Sequence, residues 1–173
     1  PSRRDPWWKP PSKAADGASI VLPRTHNDNH RAFYNPEKVI TGRFYRSDPE
    51  NNRFVSLMLN STFGSLFFEI YGDPRGQGAL DLYTDDYGKL PIIDPSHGSV
   101  TIPDDAISML DREPKSVFEE LGAESPDEVT LDKIKTDRRA LDRFVMGEVI
   151  GLSEEAQLDI YRGLLRLVDE RLT

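Results

Sequence analysis

Apolar residues recur at helical spacing over residues 52–71: Phe54, Leu57, Met58, Phe63, Leu66, Phe67 and Ile70. The spacing predicts one helix there, ended by Gly72 at the C′ position. Gly64 inside it lowers helix propensity by ~1 kcal/mol relative to Ala and marks a place where a neighbouring backbone can come close. Three short strands are expected ahead of this helix, over residues 19–23, 32–35 and 43–47. Pro23 closes the first, and Asn35-Pro36 and Thr41-Gly42 punctuate the others. Between the first two lies a polar loop, residues 24–31, R-T-H-N-D-N-H-R. Behind the helix come a glycine-rich turn at 72–78, an alternating strand at 79–83 and a last short strand at 90–93.

After Pro103 the pattern turns helical. Short helices are expected at 104–112 and 116–121. Residues 136–150 are amphipathic, with Leu141, Phe144, Val145 and Val149 on one face and Gly151 as the stop. Ser153 is placed to cap a final helix, with Glu154 and Glu155 at its positive end. Its buried stripe is Leu158, Tyr161, Leu164, Leu165, Val168 and Leu172. Thirteen of the sixteen aromatic residues precede residue 90, which sets the compact core in the first part of the chain. The expected fold is α/β (α+β): a small mixed sheet packed on a long helix, then a helical C-terminal subdomain. The divisions are an extended arm (1–18), a core (19–102) and the helical subdomain (103–173).

At 173 residues the chain is long enough to bury a core. It contains no run of eighteen apolar residues, so no membrane contact is expected. Residues 1–11 are polar and do not read as a signal peptide, which points to the cytoplasm. The chain opens on Pro1 and is expected to be cut from something longer. Cysteine is absent, which excludes disulfides, thiolate metal sites and thiol catalysis. The net charge of −8 opposes nucleic-acid binding if taken whole, but it is unevenly spread. Residues 1–53 carry 10 basic and 6 acidic side chains, and residues 54–173 carry 12 and 24. Arg exceeds Lys by 15 to 7 and Asp exceeds Glu by 18 to 12, which resembles halophilic proteins. In molar salt the Debye length is about 3 Å, so DNA contact there would rest on close hydrogen bonds and shape.

His26 and His30 stand four apart, a zinc-compatible spacing on a helix, but Asn27 and Asn29 favour a turn and no third strong ligand is evident. Arg, His and Asn on an exposed loop are instead the side chains that reach bases and phosphates. Asp104, Glu113 and Lys115 spell a nuclease-like pattern, but that chemistry needs adjacent strands, and Pro114 and the helical surroundings oppose it. Residues 72–78 lack the G-K-[ST] ending of a phosphate loop and read as a tight turn needing positive φ, from which Arg75 and Gln77 can point outward. Asn60-Ser61-Thr62 spells a glycosylation sequon, but within a helix it reads as a brace against the sheet. Trp7-Trp8, beside Arg3, Arg4, Lys9 and Lys13, can stack on bases or cover the edge of the core.

Three stretches carry a family resemblance. The first is Leu22-Pro23-Arg24 with His30-Arg31-Ala32-Phe33-Tyr34-Asn35. The second runs from Leu57-Met58-Leu59-Asn60-Ser61-Thr62 through Glu69-Ile70-Tyr71-Gly72 and Gly78-Ala79-Leu80-Asp81-Leu82 to Leu90-Pro91-Ile92-Ile93-Asp94-Pro95. The third is Leu141-Asp142-Arg143, Gly151-Leu152, Glu154-Glu155 and the segment 161–172. Together they resemble the C-terminal target-recognition region of adenine-specific DNA methyltransferases of restriction–modification systems. They are also similar to the recognition domains of type I specificity subunits. In such enzymes a separate domain binds S-adenosylmethionine and flips the adenine into an N-P-P-Y-type pocket. Here Asn35-Pro36-Glu37-Lys38 departs from that motif at both later positions.

The resemblance therefore implies the reading half without the catalytic half. The implied function is sequence-specific recognition of double-stranded DNA, with no catalytic residue, metal or cofactor in this chain. S-adenosylmethionine and the methyltransferase catalytic domain belong to the parent protein. The candidate DNA-binding residues are Arg24, His26, Asn27, Asn29, His30 and Arg31 of the polar loop, Arg46 of the third strand, and Arg75 and Gln77 of the glycine turn. A protein-interaction module and, behind it, a metal-dependent nuclease are the alternatives.

Overall fold

The apolar run at 52–71 folds as two helices. In the computed structural model, which describes residues 19–34, 45–47, 51–93 and 100–173, α1 (Asn52–Asn60) and α2 (Thr62–Tyr71) are parted by Ser61. The Ser61 backbone is extended (φ −71°, ψ 163°). Its hydroxyl accepts from Gly64 N–H at 3.1 Å, capping α2, and donates to Met58 O at 2.7 Å. Gly64 sits where the break brings the helices together: a Cβ there would lie 2.5 Å from Met58 O. The close approach expected of this glycine is real, and the backbone it admits is the end of α1.

The fold is mixed α/β, with two small sheets. β1 (Ile20–Leu22) lies between β3 (Phe33–Tyr34) and β4 (Tyr45–Ser47). The second sheet has the order β2-β6-β5, from β2 (Thr25–His26), β5 (Asp73–Pro74) and β6 (Leu80–Asp81). Every pairing is antiparallel, where a mixed sheet was expected. Parallel pairing needs a crossover of a dozen or more residues, and the segments joining β1 to β3 and β5 to β6 are too short for that. β2 falls inside the polar loop, being too short to show a period. Gly72 is extended rather than left-handed (φ −75°). Its value is space, since a Cβ would lie 2.7 Å from the Leu80 side chain. Positive φ falls instead on Gln77 (64°) and Gly78 (72°). Residues 84–87 form a helical turn, α3 (Thr84–Tyr87), and residues 91–93 form no strand.

The C-terminal region is helical as expected. α4 (Asp104–Ile107) runs into a 3-10 turn (Ser108–Leu110), and α5 (Val117–Leu121) ends at Gly122 with φ 61°. α6 (Thr136–Asp142) widens into a π-helical stretch (Arg143–Val149), which periodicity read as plain helix. Ser153 caps α7 (Glu154–Leu172) by accepting from Ala156 N–H at 3.2 Å. α1 and α2 are shared between the two parts of the chain. Phe54, Leu57 and Met58 pack with Met109, Leu141 and Phe144. Phe63 and Leu66 pack against a cluster containing Leu121, Tyr161 and Leu165. Leu59 and Phe68 close on Ile20, Ala32, Leu80 and Leu82. Among the described residues no helix is long and apolar enough to cross a membrane.

The segment Asn60-Ser61-Thr62 is the joint between these parts. Asn60 Oδ1 accepts from Ala32 N–H at 3.1 Å, and its Nδ2 donates to Ala32 O and Ser56 O, each at 2.8 Å. Thr62 donates from its amide and its hydroxyl to the Asp142 carboxylate at 2.7 and 2.6 Å. Arg138 Nη1 donates to Asn60 O at 2.5 Å. The sequon letters are a buried brace, as their place in a helical run implied.

Candidate functional site

The polar loop is split between interior and surface. His26, His30 and Arg31, expected on an exposed lip, retain only 4%, 7% and 6% of their accessible surface. Each has found a polar partner inside. Tyr87 Oη donates to Pro23 O at 2.5 Å and so accepts from His26 Nε2 at 2.9 Å, which fixes the neutral tautomer. His30 Nε2 donates to Glu69 Oε1 at 2.6 Å. Arg31 donates to Met109 O and Leu110 O. Phe68 lies against both imidazoles, 5.2 Å from the His26 ring and 6.0 Å from that of His30. A buried polar group costs several kcal/mol without a partner, and here the partners are supplied by α2, α3 and the 3-10 turn.

Glu69 organises this interior. Burial pushes its carboxyl up, but hydrogen bonds from His30 and Arg171 outweigh that and hold it below the usual carboxylate range. Arg171, in the last turn of α7, donates to Glu69 from Nε at 2.9 Å and Nη2 at 2.7 Å. The same guanidinium donates to Gly78 O and to Asn27 O. One side chain thus staples the polar loop to the glycine turn.

That staple assembles the exposed part of the site. Arg24 and Arg75 come from separate turns, yet both donate to Tyr83 Oη, at 2.9 and 2.8 Å. Both also approach Asp81 Oδ2, at 3.2 and 3.5 Å. The register of β2 on β6, with Thr25 opposite Asp81, sets them side by side. Their side chains remain 56% and 49% exposed. A hydrogen bond from Thr25 at 2.6 Å leads the influences that hold the Asp81 carboxyl below its ordinary value. Arg24 and Arg75 therefore share one ledge, and Asn27 and Gln77 are exposed on the two turns that Arg171 ties together. Tyr83, which sequence reasoning passed over, is its centre. The available signal was an aromatic at the end of the alternating strand.

The other expected residues lie elsewhere. Asn29 is half-buried, and the side chain of Arg46 lies outside the described residues, as do Trp7-Trp8, Asn35-Pro36-Glu37-Lys38 and Asp94-Pro95. Asp104 opens α4, while Glu113 and Lys115 lie in the approach to α5, so the three do not sit on adjacent strands. Among the described residues no group of three His, Asp or Glu is placed to hold a metal ion.

Burying His26 has a measurable consequence. Burial first, and then the neighbouring His30, push its pKa from 6.5 down to about 3. Below the unfolded value of 6.5 the unfolded chain gains a proton that the folded chain refuses. Stability is therefore complete above that pH and is lost as pH falls toward 3, by up to ~1.4 kcal/mol per pH unit. Urea unfolding at a series of pH values is expected to show this slope. His26→Gln, which can still donate to Tyr87 but does not titrate, is expected to flatten it by about one proton. An unchanged slope would mean that His26 is not held neutral in the fold.

Comparison with protein-family models, with curated proteins and with solved structures returns no match.

Proposed function

We propose that this chain reads double-stranded DNA for an S-adenosylmethionine-dependent adenine methyltransferase of a restriction–modification system, without transferring the methyl group itself. The carrying observation is the convergence of Arg24 and Arg75 on Tyr83, half-exposed, with Asn27 and Gln77 exposed on the neighbouring turns. Arg is the side chain that pairs bidentately with guanine, and Asn and Gln with adenine. The ledge is close to charge-balanced, because Asp81 and Asp73 face the two arginines. That suits recognition by directed hydrogen bonds more than by bulk attraction, as a high-salt medium demands. Methyl transfer and the S-adenosylmethionine site belong, in this reading, to a catalytic domain of the parent protein in the cytoplasm.

Binding to a pool of randomised duplexes, followed by sequencing of the retained fraction, tests the proposal. Each of Arg24→Ala and Arg75→Ala is expected to weaken binding about tenfold, a loss of ~1–3 kcal/mol per good contact. Both side chains are surface groups, so the unfolding midpoint should hold. A folded double variant that binds duplex as tightly as the parent would overturn the reading and favour a protein-interaction module. So would methylation of duplex by this chain alone when supplied with S-adenosylmethionine.

A further inference from the structure

We propose, building on the duplex-reading role above, that the base read by the ledge at Tyr83 is a guanine, taken by the major-groove edge of its G·C pair. The ledge has donors to spare at its centre and no acceptor there. Tyr83 Oη accepts from Arg24 Nη2 at 2.9 Å and from Arg75 Nη2 at 2.8 Å. Two donors leave no room on that oxygen for a third, and its own hydrogen finds no acceptor among the described residues. Arg24 spends Nη2 on Tyr83 and Asp81 and keeps Nε and Nη1. Arg75 keeps Nη1, since Nη2 serves Tyr83 and Nε lies 3.5 Å from Asp81. Two guanidiniums bonded to one oxygen stand close enough to address one base pair or two stacked neighbours, which lie about 3.4 Å apart.

Across the major groove a G·C pair presents two acceptors, guanine N7 and O6, and then the cytosine N4 donor. An A·T pair presents its adenine N6 donor between two acceptors. Neighbouring donors with an acceptor beyond them fit the first edge. The acceptor beyond is Asp73, on the outer strand β5, 3.7 Å from Arg75 Nη2 and with its side chain 62% exposed. The second edge needs an acceptor between donors. The atom between the two arginines is Tyr83 Oη, which both already occupy. Asp81 has no oxygen to offer in its place. Its Oδ1 accepts from Thr25, and its Oδ2 accepts from Arg24 and is approached by Arg75.

A backbone phosphate also offers only acceptors, and charge separates it from guanine. Asp81 lies 3.2 Å from Arg24 and 3.5 Å from Arg75, which Asp73 also approaches. In the adjoining turn Asp86 holds Lys89 at 2.9 Å, and Asp85 is exposed beside it. Arg171, which ties the two turns together, is matched by Glu69. The cations Arg24, Arg75 and Lys89 therefore face four carboxylates, Asp73, Asp81, Asp85 and Asp86. An anion brought to this surface gains no net attraction, whereas the guanine edge is neutral and needs only directed donors.

The test takes duplexes retained from the randomised pool and replaces each guanine in turn by 7-deazaguanine, which lacks N7, or by inosine, which lacks only the minor-groove amino group. At one guanine the deaza base is expected to weaken binding about tenfold while inosine is tolerated. Arg24→Ala, Arg75→Ala and Tyr83→Phe, each with the parent's unfolding midpoint, should relax the choice of base at that position. In the two arginine variants the deaza base should cost little more. A guanine requirement that all three variants retain would overturn the assignment to the ledge. Retained duplexes with no such guanine would overturn guanine readout and leave the duplex-reading role standing. So would variants that weaken every duplex alike and lower the salt slope by about one, the mark of a phosphate contact. A pool from which no duplex is retained would overturn both.

Discussion

Glu69→Ala is expected to destabilise the protein by about 3–5 kcal/mol, the loss typical when one partner of a buried ion pair is removed. The Glu69 and Arg171 side chains are 2% and 3% exposed, so solvent cannot take over the pairing. Without the carboxylate, Arg171 is left as an unpaired guanidinium and His30 loses its acceptor. Denaturant unfolding measures the effect. Glu69→Gln refines it: the amide oxygen can still accept, but the charge is gone, so an intermediate loss is expected. A double variant with Arg171→Met should recover part of the loss, because it removes the stranded cation. A loss below about 1 kcal/mol in both single variants would contradict the buried pairing. The ledge should suffer as well. Arg171 holds Asn27 and Gly78 together, so duplex affinity should fall in the fraction that stays folded, although Glu69 itself is remote from solvent.

The contrast between the two halves of the polar loop shows what a sequence carries. α7 was legible because its cap and its stripe are local: Ser153 and the apolar residues following it signal one another within a few turns, although Leu172, expected in the buried stripe, is exposed at the helix end. The fate of R-T-H-N-D-N-H-R was not, because the partners that bury it are 39 residues away at Glu69 and 144 away at Arg171. A histidine destined for the interior and one destined for a ligand have the same letters. The indirect trace was Glu69 itself, a carboxylate directly after Phe68 in an otherwise apolar run, which needs a cationic neighbour if it turns inward. The break at Ser61 was hidden for a related reason. Apolar positions continue on both sides of it, so the period survives while the backbone does not. Arg24 and Arg75 were readable as contact-forming types, but their meeting on Tyr83 depends on the register of two-residue strands too short to leave a pattern.

Asn60→Ala should cost about 3 kcal/mol or more, and the reason separates bracing from packing. Asn60 is 1% exposed and makes three bonds, two of them closing a ring with the amide and carbonyl of Ala32. Truncation leaves Ala32 N–H, Ala32 O and Ser56 O buried without this partner, at about 1–3 kcal/mol for each group that water cannot reach. Asn60→Leu retains most of the volume and none of the bonds. If hydrogen bonding dominates, the leucine variant is as unstable as the alanine one; if filling space dominates, it recovers most of the loss. Asn60→Asp retains the acceptor for Ala32 N–H but sets a carboxylate against two carbonyl oxygens, and should be the worst of the three. Hydrogen exchange gives the local readout, since the Ala32 amide should lose protection in every variant, and by more than the global stability change alone accounts for. Ser61→Ala is the reference, expected to lose only the ~1 kcal/mol of a helix cap. The ordering matters for function because Ala32 immediately follows Arg31 and ends the segment that begins with Arg24. An Asn60 variant that frees this strand loosens both the interior cation and one side of the ledge, whereas the cap variant leaves them in place.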